Sequence, residues 1–146
     1  CATYWFLRTS MLILDSHTIS YYIGGDPLVV QHMQALQPNE LSIPAVVEYE
    51  LRYGLERLSP AAALPRLEAL AQLLGAMQSL PFDGECAKRG ARLRALLEAA
   101  GTPIGPHDLL IAATALRHQA PLVTRNVREF GRVPGLQCIN WHDQAP

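Results

Sequence analysis

Asp108 lies in the stretch GTPIGPHDLLIAATA, Gly101 to Ala115, in the first turn of an apolar helix that buries Leu109, Ile111 and Ala112 at helical spacing. A helix N-terminus, with its free backbone N–H groups and its dipole, favours a carboxylate's charge, and a lone acid there is an ordinary cap. Two further acids change that reading. Asp15 ends the apolar run Met11–Leu14, and Glu50 lies in a helix that opens near Pro44. Three carboxylates on separate elements suggest a metal site. If they converge, two unit charges about 5 Å apart repel by roughly 3 kcal/mol at an effective dielectric of about 20. A divalent cation removes that repulsion. Oxygen-only ligation, without His or Cys, selects Mg²⁺ or Mn²⁺ over zinc. Such an ion lowers the pKa of a bound water and neutralises charge on a phosphorane-like transition state, so phosphodiester hydrolysis is the natural chemistry.

Two glutamates compete for the second acidic role. Glu48 has Arg52 four residues on and Glu56 on the same line, the pattern of a solvated ladder. Glu50 has Val46, Val47, Tyr53 and Gly54 at its i±3 and i±4 positions, which set its carboxylate against packed structure with room beside Gly54. The neighbours favour Glu50.

The elements that must carry these acids alternate. Met11–Leu14 reads as a buried strand, Ser16 to Ile23 as a short helix closed by Gly24-Gly25, and Pro27 to Leu36 as a second helix. Leu41–Ile43 is a brief strand, and Pro44 at a first helical position opens a helix to about Leu58. Pro60 to Met77 carries Leu64, Leu67, Leu70, Leu73 and Leu74 at helical spacing. Ser79–Phe82 is a strand, and Asp83 caps a helix that runs to Ala100. After the Asp108 helix come a strand at Pro121–Thr124, a helical turn at Val127–Phe130 and a last strand at Leu136–Ile139. This order predicts an α/β sandwich on a largely parallel sheet, with functional groups at the carboxyl ends of the strands.

With 146 residues, 49% hydrophobic and 17% charged, the chain is expected to form one domain over residues 11–146. Residues 1–10, ahead of the first Met, read as an upstream extension or artificial remnant. Cys1, Cys86 and Cys138 form no CxxC and no His/Cys cluster, which fits a reduced, cytoplasmic protein without zinc. No apolar run approaches the roughly eighteen residues that span a bilayer. A formal charge of −1 announces no global field for a polyanion. Locally, however, Lys88, Arg89, Arg92, Arg94, Arg117, Arg125, Arg128 and Arg132 face only Glu85, Glu98, Asp108 and Glu129 between Gly84 and Arg132, an excess of four positive charges. That excess is either a solvated face or a phosphate-holding surface beside the acids.

The segments MLILDSHTISYYI, ELRYGLER, GTPIGPHDLLIAATAL and LVTRNVREFGRVPGL resemble the successive motifs of PIN-domain ribonucleases, most closely the VapC-type toxins of bacterial toxin–antitoxin pairs. The resemblance runs from Met11 to about Trp141 and implies an α/β/α sandwich on a largely parallel sheet. It implies a Mg²⁺- or Mn²⁺-dependent endoribonuclease that cleaves structured RNA, commonly tRNA, to stop translation. It also implies a homodimer and neutralisation by a VapB-type antitoxin. The metal-binding acids of the family match Asp15, Glu50 and Asp108. Two departures stand out. Where the family often reads D-T-N, this chain has Asp15-Ser16-His17: Ser16 keeps a hydroxyl for the site, and His17 replaces an amide with a titratable ring. The fourth acid of many relatives falls at Asn126, which can hydrogen-bond water or phosphate but adds no charge.

Several lesser expectations complete the reading. Glu129 is expected in a salt bridge with a neighbouring Arg, with substitution for the missing acid as the alternative. Arg125 and Arg128 flank Asn126 where phosphate contacts are useful. His107 reads as a surface residue, and Trp141, Tyr21 and Tyr22 as core or dimer packing. One rival is a catalytically inert RNA-binding or regulatory domain of the same fold. A phosphoacceptor receiver domain is another, but it wants a lysine beside its acids, and Lys88, the only lysine, lies in the Arg-rich helix.

Overall fold

The computed structural model describes residues 11–143, so the expectation for residues 1–10 lies outside them. Five strands form one all-parallel sheet: β1 (Leu12–Leu14), β2 (Leu41–Pro44), β3 (Gln78–Leu80), β4 (Leu122–Val123) and β5 (Cys138–Ile139), in the order β3-β2-β1-β4-β5. Parallel neighbours require crossovers, and helices supply most of them. The helices are α1 (Ser16–Ile23), α2 (Pro27–Gln34), α3 (Ala45–Glu56), α4 (Pro60–Ala76), α5 (Gly84–Ala99), α6 (Pro106–His118) and α7 (Val127–Phe130). Successive strand residues point to opposite faces. Ile13 and Leu14, and likewise Ser42 and Ile43, are all 0% exposed, so both faces of the sheet are covered.

Local chemistry sets the element starts. Asp15, Asp26, Asp83 and Asn126 each cap a helix by accepting a hydrogen bond from a backbone N–H three residues on. The aspartate that ends β1 therefore also opens α1. Gly90 lets α5 approach α6 closely, since a Cβ there would stand 3.4 Å from the Cβ of Ala113.

The predicted elements all form, with shifted ends. Pro44 is not the first residue of a helix; with φ −62° and ψ 144° it extends β2 opposite Leu80 and then caps α3. The third strand ends at Leu80, before Pro81-Phe82, and the strand expected from Leu136 pairs only at Cys138–Ile139. A 3₁₀ turn at Pro38–Glu40 is an addition to the predicted elements, and it carries no apolar period that would announce it. In α4 only Ala63 and Leu70 are fully buried, and Leu64 is 57% exposed, so the leucine stripe is only partly covered.

Candidate functional site

β1 and β4 are neighbours, and the residues that follow them meet. Asp15 accepts a hydrogen bond on Oδ1 from the backbone N–H of Thr18 at 2.9 Å and another on Oδ2 from the Thr124 hydroxyl. Thr124 Oγ1 in turn accepts from the backbone N–H of Asn126 at 3.0 Å. Asp15 is 3% and Thr124 0% exposed, so this carboxylate is clamped from both strand ends. A Thr at a buried strand terminus gives no sequence signal for such a role.

Asp108 enters from the first turn of α6. Its carboxyl is pushed up to about 7, first by burial, then by the charge and hydrogen bond of Glu129, then by Glu50 and Asp15. The helix N-terminus by itself favours the ionised form; desolvation and three neighbouring acids outweigh it. Glu129 is held down, chiefly by the Gly105 backbone N–H at 2.6 Å, with Asn126 Nδ2 donating to its other oxygen at 2.9 Å. A Cβ on Gly105 would lie 3.5 Å from Glu129 Oε1 and 3.7 Å from Asp108 Oδ2, so both carboxyls close on this glycine. Burial and the neighbouring acids thus favour the protonated form of Asp108, while the Gly105 amide favours the charged form of Glu129.

This arrangement corrects two expectations. Glu129 is not engaged by a neighbouring arginine in a salt bridge; it is the fourth acid of the cluster, reaching it from α7. Asn126 spends its side chain capping α7 and holding Glu129, which makes it a positioning residue here. The sequence signal for this is the Asn126-x-x-Glu129 spacing, that of a helix N-terminal capping pair.

Glu48 and Glu50 part as the neighbour pattern predicts. Glu48 pairs with Arg52 at 2.9 Å. Glu50 points into a cleft of about 530 Å³ shared with Ser16, His17, Gly54 and Arg66. A Cβ on Gly54 would meet nothing within 4 Å, so there is room beside Glu50. His107, expected on the surface, is half exposed but also lies 3.6 Å from Glu50 Oε2 and edge-on to Tyr49. His17 is exposed on the same cleft.

Among the described residues, no three His, Cys, Asp or Glu side chains are arranged to hold a metal ion as they stand. The donor set nonetheless suits a hard cation. It is oxygen-rich, Glu50 Oε1 is buried without a hydrogen-bond partner, and Asp108 is crowded by three other acids. Of the expected phosphate ligands, Arg125 donates to the Tyr21 hydroxyl and lies over its ring at 5.5 Å. Arg128 is exposed. Trp141 is buried and stacked on His32 at 5.1 Å, as packing rather than a base platform. Lys88 pairs with Glu85 on α5, where a receiver's lysine would have to face the acids.

Known proteins share this frame. The PIN domain profile matches residues 12–136. The tRNA(fMet)-specific endonuclease VapC of Salmonella typhimurium is 32% identical over 130 residues, covering 88% of this chain and 96% of that protein. Ribonuclease VapC2 of Rickettsia felis is 32% identical over 128 residues, covering 88% and 89%. The crystal structure of VapBC2 from Rickettsia felis bound to a DNA fragment from their promoter superposes with a TM-score of 0.82 at 30% identity, over 90% of this chain and 98% of that one.

Proposed function

The chain belongs to the PIN-domain family, among the VapC-type ribonucleases, and from that premise we propose that it cuts structured RNA, tRNA being the expected class, in a reaction that depends on Mg²⁺ or Mn²⁺. Cleavage arrests translation in the cytoplasm until a VapB-type antitoxin binds. The observation that carries this reading is the gathering of Asp15, Glu50 and Glu129, from separate elements, around Asp108, whose carboxyl they and burial push up.

Asp15, Glu50 and Asp108 are the groups that would hold the cation. When bound, it supplies a nucleophilic water and screens charge building on the phosphoryl oxygens. The chain's own residues set the geometry. Thr18 and Thr124 fix Asp15 in one rotamer, so no side-chain entropy remains to be lost there. Glu129, anchored on the Gly105 amide, orients Asp108 and accepts its hydrogen bond. Asn126 fixes Glu129. Arg125, just after β4, and Arg128, on α7, meet backbone phosphates of the RNA, and the Ser16 hydroxyl at the cleft wall is a further contact.

The antitoxin reading is supported by the VapBC complex that this chain resembles. A homodimer is supported by the partly uncovered leucines of α4. The test is incubation of the purified protein with total RNA in Mg²⁺ or in EDTA. Fragments in Mg²⁺ alone support the proposal; intact RNA in both makes the chain an inert RNA-binding or regulatory domain.

A further inference from the structure

The fold divides the local excess of basic residues into two separate surfaces. Arg125 and Arg128 flank Asn126, whose side chain holds Glu129. Lys88, Arg89 and Arg92 stand on α5, with Glu85 along one wall of a groove of about 350 Å³ whose other residues are Leu93, Leu96, Leu116 and Pro134. Lys88 is tied to Glu85 at 3.1 Å and Arg94, on another side of the helix, to Glu98 at 2.8 Å. Neither Arg89 nor Arg92 meets a carboxylate among the described residues. Both are exposed, in a chain whose formal charge is −1. The groove's four charged groups sum to two positive charges, and the rest of its lining is apolar.

We infer that this groove is a second RNA-backbone site, which grips phosphates flanking the one being cut and so orients a structured RNA on the acids. Leu116 in its lining is eight residues beyond Asp108 on α6, about 12 Å along the axis at about 1.5 Å per residue. That is a span of a few nucleotides, so one RNA reaches both places. Arg89 and Arg92 are one helical turn apart, and each guanidinium can fork two N–H donors onto a phosphate without first breaking an ion pair. Charge complementarity is what selects the occupant: the uncompensated guanidiniums attract a polyanion, with a charge on every phosphate, far more strongly than a second copy of a chain whose formal charge is only −1.

This inference rests on the RNA-cutting reading and is separable from it. Binding of a synthetic RNA stem–loop, kept uncut in EDTA, is measured over a salt series for the wild type, for Arg89→Gln/Arg92→Gln and for Arg94→Gln. Arg94→Gln removes a charge from the same helix outside the groove. Each phosphate contact contributes about 0.7 to 0.9 to the slope of log affinity against log salt. The double variant is expected to lose about 1.4 to 1.8 of that slope, with the wild-type melting temperature, because both side chains are exposed. Arg94→Gln is expected to follow the wild type. In Mg²⁺, KM rises in the double variant and carries most of the loss in kcat/KM. A wild type that binds RNA with a slope the double variant leaves unchanged overturns the inference and spares the enzymatic reading. An equal loss in Arg94→Gln reduces the groove to general surface charge. Unchanged RNA binding with a weakened complex with an acidic protein segment makes it a protein-docking face. No RNA affinity in the wild type overturns the inference, and absent cleavage in Mg²⁺ besides it removes the enzymatic reading too.

Discussion

Replacing Asp108 by Asn is expected to make the metal-free protein more stable. In the folded chain this carboxyl is pushed up from 3.8 to about 7 by burial and by Glu129, Glu50 and Asp15. A raised pKa in an acid means that the folded state binds the proton more tightly than the unfolded one. Below the unfolded value both states are protonated and stability is unaffected. As pH rises from 3.8 the unfolded chain ionises first, the folded state is progressively disfavoured, and the full penalty applies above about 7. A shift of about three units corresponds to about 4 kcal/mol at most. Asp108 is only about half buried, and solvent screening reduces this to about 1–2 kcal/mol. For a domain of this size that is roughly 3–6 °C in Tm. The assay is thermal unfolding in EDTA at pH 8 and pH 5 for wild type and Asp108→Asn. The variant's advantage should be largest at pH 8 and shrink to a little over a third at pH 5, because only that part of the pH interval has been crossed. Saturating Mg²⁺ should raise the wild type toward the variant. A variant less stable than the wild type at pH 8, or an advantage independent of pH, refutes the crowding of acids around Asp108.

Thr124→Val keeps shape but removes the hydroxyl that bridges Asp15 and the Asn126 amide. It should cost about 1–3 kcal/mol in denaturant unfolding, because the buried Asp15 oxygen and the part-buried Asn126 amide are left without this partner, and should lower kcat more than it raises KM. Arg125→Gln/Arg128→Gln should flatten the salt dependence of RNA binding by up to about 0.9 for each phosphate no longer held; superimposable curves would place the RNA elsewhere. Sedimentation of the isolated protein should show a homodimer at tens of micromolar, whereas a monomer there counts against an interface on α4.

What could be read from the chain follows from how local each signal is. Asp15 was legible because an apolar strand, an acid and a hydroxyl follow one another, and that order is both a strand end and a helix cap. Glu50 was separable from Glu48 because helical neighbours are fixed by spacing alone, and the Glu48–Arg52 pair forms as that spacing dictates. Asp83 and Gly101 bounded α5 for the same local reason. Glu129 was legible as an active-site acid only as the alternative to a partner for a neighbouring arginine. Its role depends on α7 meeting the Gly105 amide, which lies 24 residues away in sequence. His107 reads as a surface residue because nothing in its own segment announces Glu50, which reaches it across the contact of α3 with α6. Pro44 misleads because its φ suits a strand end as well as a first helical turn, and pairing with β3 makes the choice.

The central claim is that the acids of this cluster, and not the surface glutamate beside them, carry a cation-dependent cleavage of RNA. Its most direct test is the initial rate of cleavage of total RNA across a Mg²⁺ titration, at saturating RNA, for wild type, Asp15→Asn, Glu50→Gln, Asp108→Asn and Glu48→Gln. Wild type and Glu48→Gln should cleave at nearly equal rates that rise with Mg²⁺ and vanish in EDTA, while the other three, still folded, show no cleavage. Cleavage that persists in EDTA, or a wild-type rate in Asp15→Asn, Glu50→Gln or Asp108→Asn, contradicts it.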